Sequence, residues 1–292
     1  METHDAKART TIPMIHLRIY YILSSIALFL LLFPHPGPAS PGSGTEHLLH
    51  TAFTAAFADP AEFRATRLFD VLGYAPDQVR AMAEITPRPA SLTIEAEPDA
   101  TASGAYRLLR VHCSKVRYYN LTIDHAEFAF PDVRIDAAAL DAGHLRFLAA
   151  DRVDLETFVS SDDILKVFGF FAKARRLSQL ALRLAPQETL LTGNLRKGIL
   201  VARFRVSGKP TLVQTDRIAF DCRRLDINGV PLPATAIRAM FSRINPVFDA
   251  RKTWLNLRLR ELTVEPGFVL TKATIHPAQA QAASATSPIP RG

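Results

Sequence analysis

The adjacent carboxylates of Asp162 and Asp163 come nearest to acid–base chemistry in this chain, because paired carboxylates can divide the roles of general acid and general base. They directly follow Ser160-Ser161 and precede an apolar helical pattern. That is where a helix N-terminus takes a capping hydroxyl and first-turn acids. No third group with a role stands near them, so they read as capping residues. His112-Cys113 supplies two potential metal ligands, short of the three or four a zinc site needs. The nine histidines are scattered. No nucleophile elbow, Walker loop, paired-cysteine motif or His-Glu-x-x-His occurs. The sequence therefore predicts no catalytic residue, no metal and no cofactor. An enzyme that assembles its groups from distant positions stays open as an alternative. Asn120-Leu-Thr122 is a glycosylation triplet that matters only in a eukaryotic secretory route.

With chemistry thin, the elements themselves carry the argument. The 292 residues, 48% hydrophobic, suffice to bury a core. Net charge is +7. Lys7, Arg9 and Arg18 against Glu2 and Asp5 put +1 of it before Pro36, leaving +6 for the folded part. Such a balance suits an anionic partner, nucleic acid or lipid surface. The compartment selects between them. Residues 19–33 form an apolar run behind basic residues, stopped by Pro34, of the length of a signal-peptide core. Extended back to Ile12, the run becomes an uncleaved anchor. Residues 1–36 are thus a signal peptide or N-terminal membrane anchor. The reading is an exported protein of the periplasm or cell envelope, facing a membrane surface rather than nucleic acid. Cys113 and Cys222, both in strand-like segments, read as unpaired thiols, with a disulfide as the alternative.

Residues 37–45 form a Pro/Gly/Ser linker. From Glu46 to Ala58, Leu48, Leu49, Ala52, Phe53, Ala56 and Phe57 make one apolar stripe, a helix that packs on a core. Asp59-Pro60 caps a second helix that Gly73 closes, and Ala75-Pro76-Asp77 opens a third. After Pro87 and Pro89 the pattern alternates, with a parity change that predicts a turn or bulge near His125. Further alternation after Gln179, from Leu200, from Thr211 and from Leu255 predicts long antiparallel strands, apolar on one side and arginine-bearing on the other. Ser207-Gly-Lys-Pro210 reads as a turn, and Glu265-Pro-Gly267 as a hairpin. Beyond residue 277 the tail is Pro, Ala, Gln and Ser, predicted disordered over 278–292.

Two helices stand out. After Asp163, Ile164, Leu165, Val167, Phe168, Phe170 and Phe171 cover more than half the circumference, wider than a surface helix needs. That helix is either buried on several sides or lines an apolar cavity. The second follows Asn228-Gly229, a turn dipeptide, and Pro231 and Pro233, with Ile237, Met240, Phe241, Ile244 and Phe248 on one face. Asn245-Pro246 ends it. Between such helices and half-apolar strands a groove can bury acyl chains at ~0.8 kcal/mol per methylene. The predicted lining is Phe168, Phe170, Phe171, Ile237, Met240, Phe241 and Ile244. Arg258 and Arg260 are rim candidates for an anionic headgroup, and Arg203 and Arg205 carry spacing that would let all four share a sheet face. Trp254 beside them suits a headgroup boundary or an ordinary exposed strand.

The order of these elements resembles a family. Residues 130–161 resemble the repeated amphipathic strands before the first helix of the LmeA family of phospholipid-binding envelope proteins. Residues 198–248 resemble its second half, where a glycine-bounded strand pair leads to Asp226-Ile-Asn-Gly-Val-Pro-Leu-Pro233 and a helix closed by Ile244-Asn-Pro246. The Leu-x-Leu-x-Leu strand at 255–259 also fits. The resemblance covers residues 110–275 and leaves the helices of 46–86 unmatched. It implies an exported, non-enzymatic protein that binds phospholipid and supports lipid or glycolipid handling, with a tubular lipid-binding-like fold. The combined expectation is an α+β class. A single domain over 46–277, with N-terminal helices at 46–86, packs a long curved antiparallel sheet around amphipathic helices. Its partner is a phospholipid or other acyl lipid. The alternative is an envelope scaffold whose core its own side chains fill.

Overall fold

The computed structural model describes residues 44–84, 88–118, 121–252 and 256–278. The apolar run at 19–33, most of the linker, Asn120, Trp254 and the tail beyond residue 278 lie outside them. The architecture is α+β, with antiparallel sheets that include a strongly curled half-barrel and helices concentrated at the N-terminal side. One sheet takes the order β1 (Ser91–Pro98), β2 (Ala105–Tyr118), β3 (Leu121–Ile135), β5 (Val153–Ser160), β13 (Phe268–His276), β12 (Asn256–Glu265). The short β4 (Phe147–Ala149) pairs with β3. The other sheet is a meander of β6 (Leu177–Arg183), β7 (Thr189–Lys197), β8 (Leu200–Val213) and β9 (Arg217–Ile227). β10 (Val230–Pro231) and β11 (Phe248–Asp249) pair with β9.

Helix α1 (Gly44–Ala58) covers the first sheet because its apolar residues recur on one stripe. Leu49, Ala52, Phe53, Ala56 and Phe57 are all buried. The Phe53 ring lies 6.2 Å from both Phe130 and Phe147, and Phe57 lies 6.2 Å from Phe128. The stripe thus packs on a core, as its pattern predicts. Asp59 caps α2 (Pro60–Ala65) by accepting from Ala61 N–H at 2.6 Å. The single helix predicted up to Gly73 is in fact two. Arg67 takes a left-handed φ of 59°, and Thr66 Oγ1 accepts from Leu68 N–H to restart the chain as α3 (Leu68–Val71). α4 (Pro76–Glu84) begins at its proline as expected, and the short α5 (Ala137–Asp141) follows β3. The Tyr74 hydroxyl ties this helical segment to both late strands, accepting from Asn256 N–H and donating to His276 C=O. Burial pushes its phenol up to about 12.

Two local expectations change. β3 runs unbroken past His125, and the irregularity sits beside it: Lys115 takes a positive φ, and the ladder omits its pairing with Asp124. Ser207–Pro210 is no turn. β8 continues through it with a register shift against β9, and the chain reverses after Val213 instead. Cys113 is buried in β2 and Cys222 half-buried in β9, in different sheets, and both are free thiols. The Glu265-Pro-Gly267 hairpin forms as read, pairing Glu265 with Phe268.

Candidate functional site

The meander β6–β9 has two unlike faces, because neighbouring side chains along a strand alternate and directly opposed residues share a side. Leu191, Gly193 and Leu195 of β7 stand opposite Val206, Phe204 and Ala202 of β8. Phe204 and Val206 in turn stand opposite Ile227 and Leu225 of β9. Leu182 opposes Leu191 on the β6 side. Gly193 leaves room on this face: a Cβ there would lie 2.6 Å from the Leu180 side chain and 2.9 Å from the Phe204 ring. Those two side chains therefore meet over the glycine. The reverse face carries Arg183, Thr192, Asn194, Arg196, Arg203 and Arg205, as the alternation predicts.

Two helices stand over the outer strands of the apolar face. α6 (Ser161–Arg175) leads straight into β6 and packs along it. Its start is fixed by an N-cap: Asp163 N–H donates to Ser160 Oγ at 3.2 Å, and Ser160 Oγ donates to the Asp163 carboxylate at 2.9 Å. Lys166 Nζ donates to the same buried carboxylate at 2.7 Å. Ile164 then joins Val159, Leu184 and Val264 in a small core against Leu182. α7 (Ala234–Phe241) lies along β9. Asn228 and Gly229 both take positive φ, making the turn, and Leu232 N–H donates back to Leu225 C=O before Pro233 starts the helix. The Phe241 ring stacks on Phe220 of β9 at 5.8 Å. Beyond the helix Asn245 acts like a strand residue: its side chain accepts from Phe220 N–H at 2.9 Å and donates to Phe220 C=O at 3.0 Å.

Between the two helices Leu180, Leu191, Ala202, Phe204 and Val206 are only partly covered. Of the predicted lining, Ile237 is buried against the sheet at 7% exposure, and Phe241 is half-buried on Phe220. Phe168, Met240 and Ile244 are exposed. The side chains of Phe170 and Phe171 lie outside the described residues. The four arginines do not share one face: Arg203 and Arg205 belong to β8, whereas Arg258 and Arg260 belong to β12 in the other sheet. There Arg260 sits at a register shift and pairs with Asp154 at 3.0 Å. The sheet residues at the centre of the apolar face, Leu180, Gly193 and Phe204, are absent from the predicted lining. Their signal was the alternation itself, but alternation says which residues share a side and not whether a helix covers them.

Among the described residues no group of three or more His, Cys, Asp or Glu side chains is placed to hold a metal. Nor is any helix among them long and apolar enough to cross a membrane. Neither a curated protein nor a solved structure gives a significant match. The profile of one family, described as LmeA-like phospholipid-binding, matches residues 77–274, more than half of the chain. By that match, which takes in both sheets and both flanking helices, this chain belongs to the LmeA-like phospholipid-binding family.

Proposed function

We propose that the apolar face of β6–β9, walled by α6 and α7, is a trough that holds the acyl chains of a phospholipid. The observation that carries this reading is the half-covered pair Leu180 and Phe204 at its centre, meeting over the buried Gly193, in a chain of a phospholipid-binding family. A folded protein gains by covering such a surface, and an acyl chain covers it without any directional polar contact. The dimensions support it. The walls stand over strands three spacings apart, about 14 Å, and the nine-residue β7 runs about 30 Å. One leaflet of hydrocarbon is about 15 Å thick, so a chain of that reach fits lengthwise. Phe168 and Phe241 border the trough from the two helices, and Met240 and Ile244 extend its apolar rim.

The protein acts without catalysis, as a lipid carrier or holder supporting lipid or glycolipid handling. The apolar run at 19–33 sends it out of the cytoplasm, where a cell envelope supplies both the lipid and the membrane surface. Native mass spectrometry and solvent extraction of the purified full chain test the trough. Wild type should release phospholipid at near one molecule per chain, and Leu180→Asp with Phe204→Asp should lose most of it while remaining folded. Equal lipid in both proteins, or none in wild type, refutes the reading. None in wild type would favour the scaffold with a filled core.

A further inference from the structure

Both hairpins at one end of the β6–β9 meander put apolar side chains into solvent. Gly198, with a positive φ, turns β7 into β8, and the next residue, Ile199, is 94% exposed. Leu200 follows at 70% and Val201 at 57%. The Asn228-Gly229 turn reaches the same end, since Asn228 N–H donates to Arg203 C=O and Arg203 N–H donates to the Asn228 side chain. It presents Val230 at 64%, set back from the tip at the level of Phe204. Burial nowhere in the fold calls for these residues, and the three consecutive ones at the β7–β8 tip make a patch rather than the single exposed leucine any surface carries. Behind the tip stands a basic row. Arg176 and Arg196 lie abreast, Arg196 N–H donating to Arg176 C=O, and Arg196 stands opposite Val201. Arg203 is two residues further in. All three are exposed.

We propose that this tip is the membrane-docking end of the protein: Ile199, Leu200 and Val201 enter the hydrocarbon edge of an anionic bilayer while Arg176, Arg196 and Arg203 sit at its phosphates. The arrangement is that of an interfacial anchor, apolar residues beyond a collar of cations. Charge complementarity commits the partner to an anionic lipid surface, in keeping with the +6 that the chain carries beyond its N-terminal segment. The register gives the docking a use. Leu195, Leu200, Ile227 and Val230 lie on the same side of the sheet as Gly193 and Phe204, so the exposed tip is the open end of the proposed trough. This part rests on the trough reading: a lipid leaves the bilayer tail-first along a continuous apolar path between α6 and α7.

A local probe tests the tip in the full chain, whatever the N-terminal segment does. In a Cys222→Ser background, which leaves only the buried Cys113, an environment-sensitive fluorophore is placed at Ile199→Cys and, in a second protein, at Glu188→Cys at the opposite end of β7. With vesicles containing phosphatidylglycerol the probe at 199 should shift to the blue and be quenched by spin-labelled acyl chains, and the probe at 188 should not. Vesicles of phosphatidylcholine alone should give little response. Arg196→Gln with Arg203→Gln should weaken the anionic-vesicle response by about 25-fold, at roughly a factor of five per basic side chain. An unquenched probe at 199, equal quenching at both sites, or a blue shift that appears without vesicles, as a second copy of the chain would produce, overturns the docking proposal. Lipid extraction from the same samples separates the two ideas. Phospholipid recovered from a chain whose tip does not insert leaves the trough standing and removes only the tip. An inserting tip with no recovered lipid does the reverse.

Discussion

Replacing Asp163 by alanine should loosen the start of α6 by an amount that can be worked out beforehand. The carboxylate is buried, accepts from Ser160 Oγ at 2.9 Å and from Lys166 Nζ at 2.7 Å, and sits in the first turn of α6. A hydrogen bond to a charged group contributes about 1.5 kcal/mol at the low end. A partly buried acid at a helix N-terminus contributes up to about 1 kcal/mol. The Lys166 pair adds at most about 0.5 kcal/mol, since that ammonium is largely in solvent. Asp163→Ala should therefore cost about 3 kcal/mol, read as a fall in melting temperature of roughly 6–12 °C for a domain of this size. Asp163→Asn keeps the acceptor and loses the charge, so it should cost about half as much. The neighbouring Asp162 is exposed, and Asp162→Ala should stay within about 0.5 kcal/mol. Thermal unfolding followed by far-ultraviolet circular dichroism at pH 7 ranks the three. If Asp163→Ala melted within 2 °C of Asp162→Ala, that would falsify the capping account and reopen a chemical role for the pair.

Phe53→Ala, at the centre of the aromatic cluster beneath α1, should cost about 3–5 kcal/mol in urea unfolding, and an effect under 1 kcal/mol would show that α1 docks without it. Burial above all holds the Glu156 carboxyl above its usual range, against the pull of Lys272 and with added repulsion from Glu127 and Glu261. A carboxyl raised on folding supplies stability below its unfolded pKa that is lost as pH rises through its folded value, so Glu156→Gln should melt higher than wild type at pH 7 and lose that advantage by pH 4; a gain independent of pH refutes the assignment. Lys166 is raised too, first by its bond to Asp163, so its contribution is complete below the ordinary lysine range and lost on going more alkaline; Lys166→Met should flatten the stability curve above about pH 10. Burial pushes the Cys113 thiol up to about 12, so a thiol reagent at pH 8 should titrate at most Cys222 in the folded protein, and two fast equivalents would contradict the fold around β2.

What the sequence determined by itself is whatever depends on near neighbours. The stripe of α1, the Ser160 N-cap on Asp163, the Asn228-Gly229 turn and the hairpin at Gly267 are each written within a few residues, and each forms. The one-sided apolarity of the strands was equally plain, because alternation is a local property of the pleat. The resemblance to the LmeA family, carried by degenerate structural motifs, also held. Local signals misled where a short-range effect competes with pairing. Ser207-Gly-Lys-Pro210 has turn composition, yet the ladder with β9 absorbs it as a register shift. The residues before Gly73 have one helical pattern, yet Arg67 breaks it with a left-handed backbone.

Tertiary structure decided which strands share a sheet and what each apolar face meets. β13 pairs with β5 although more than a hundred residues separate them, and that pairing carries Arg258 and Arg260 away from Arg203 and Arg205. No spacing encodes such a partition, since the free energy of a long-range ladder is collected only once the whole sheet is closed. The same holds for Asn245, whose amide completes a backbone pair on Phe220, and for the tip, where Ile199-Leu200-Val201 reads as ordinary strand until the fold leaves it in solvent. Periodicity fixed which side chains face one way. Only packing fixed that α6 and α7 stand at the two margins of the β6–β9 face and leave Leu180 and Phe204 half-covered between them.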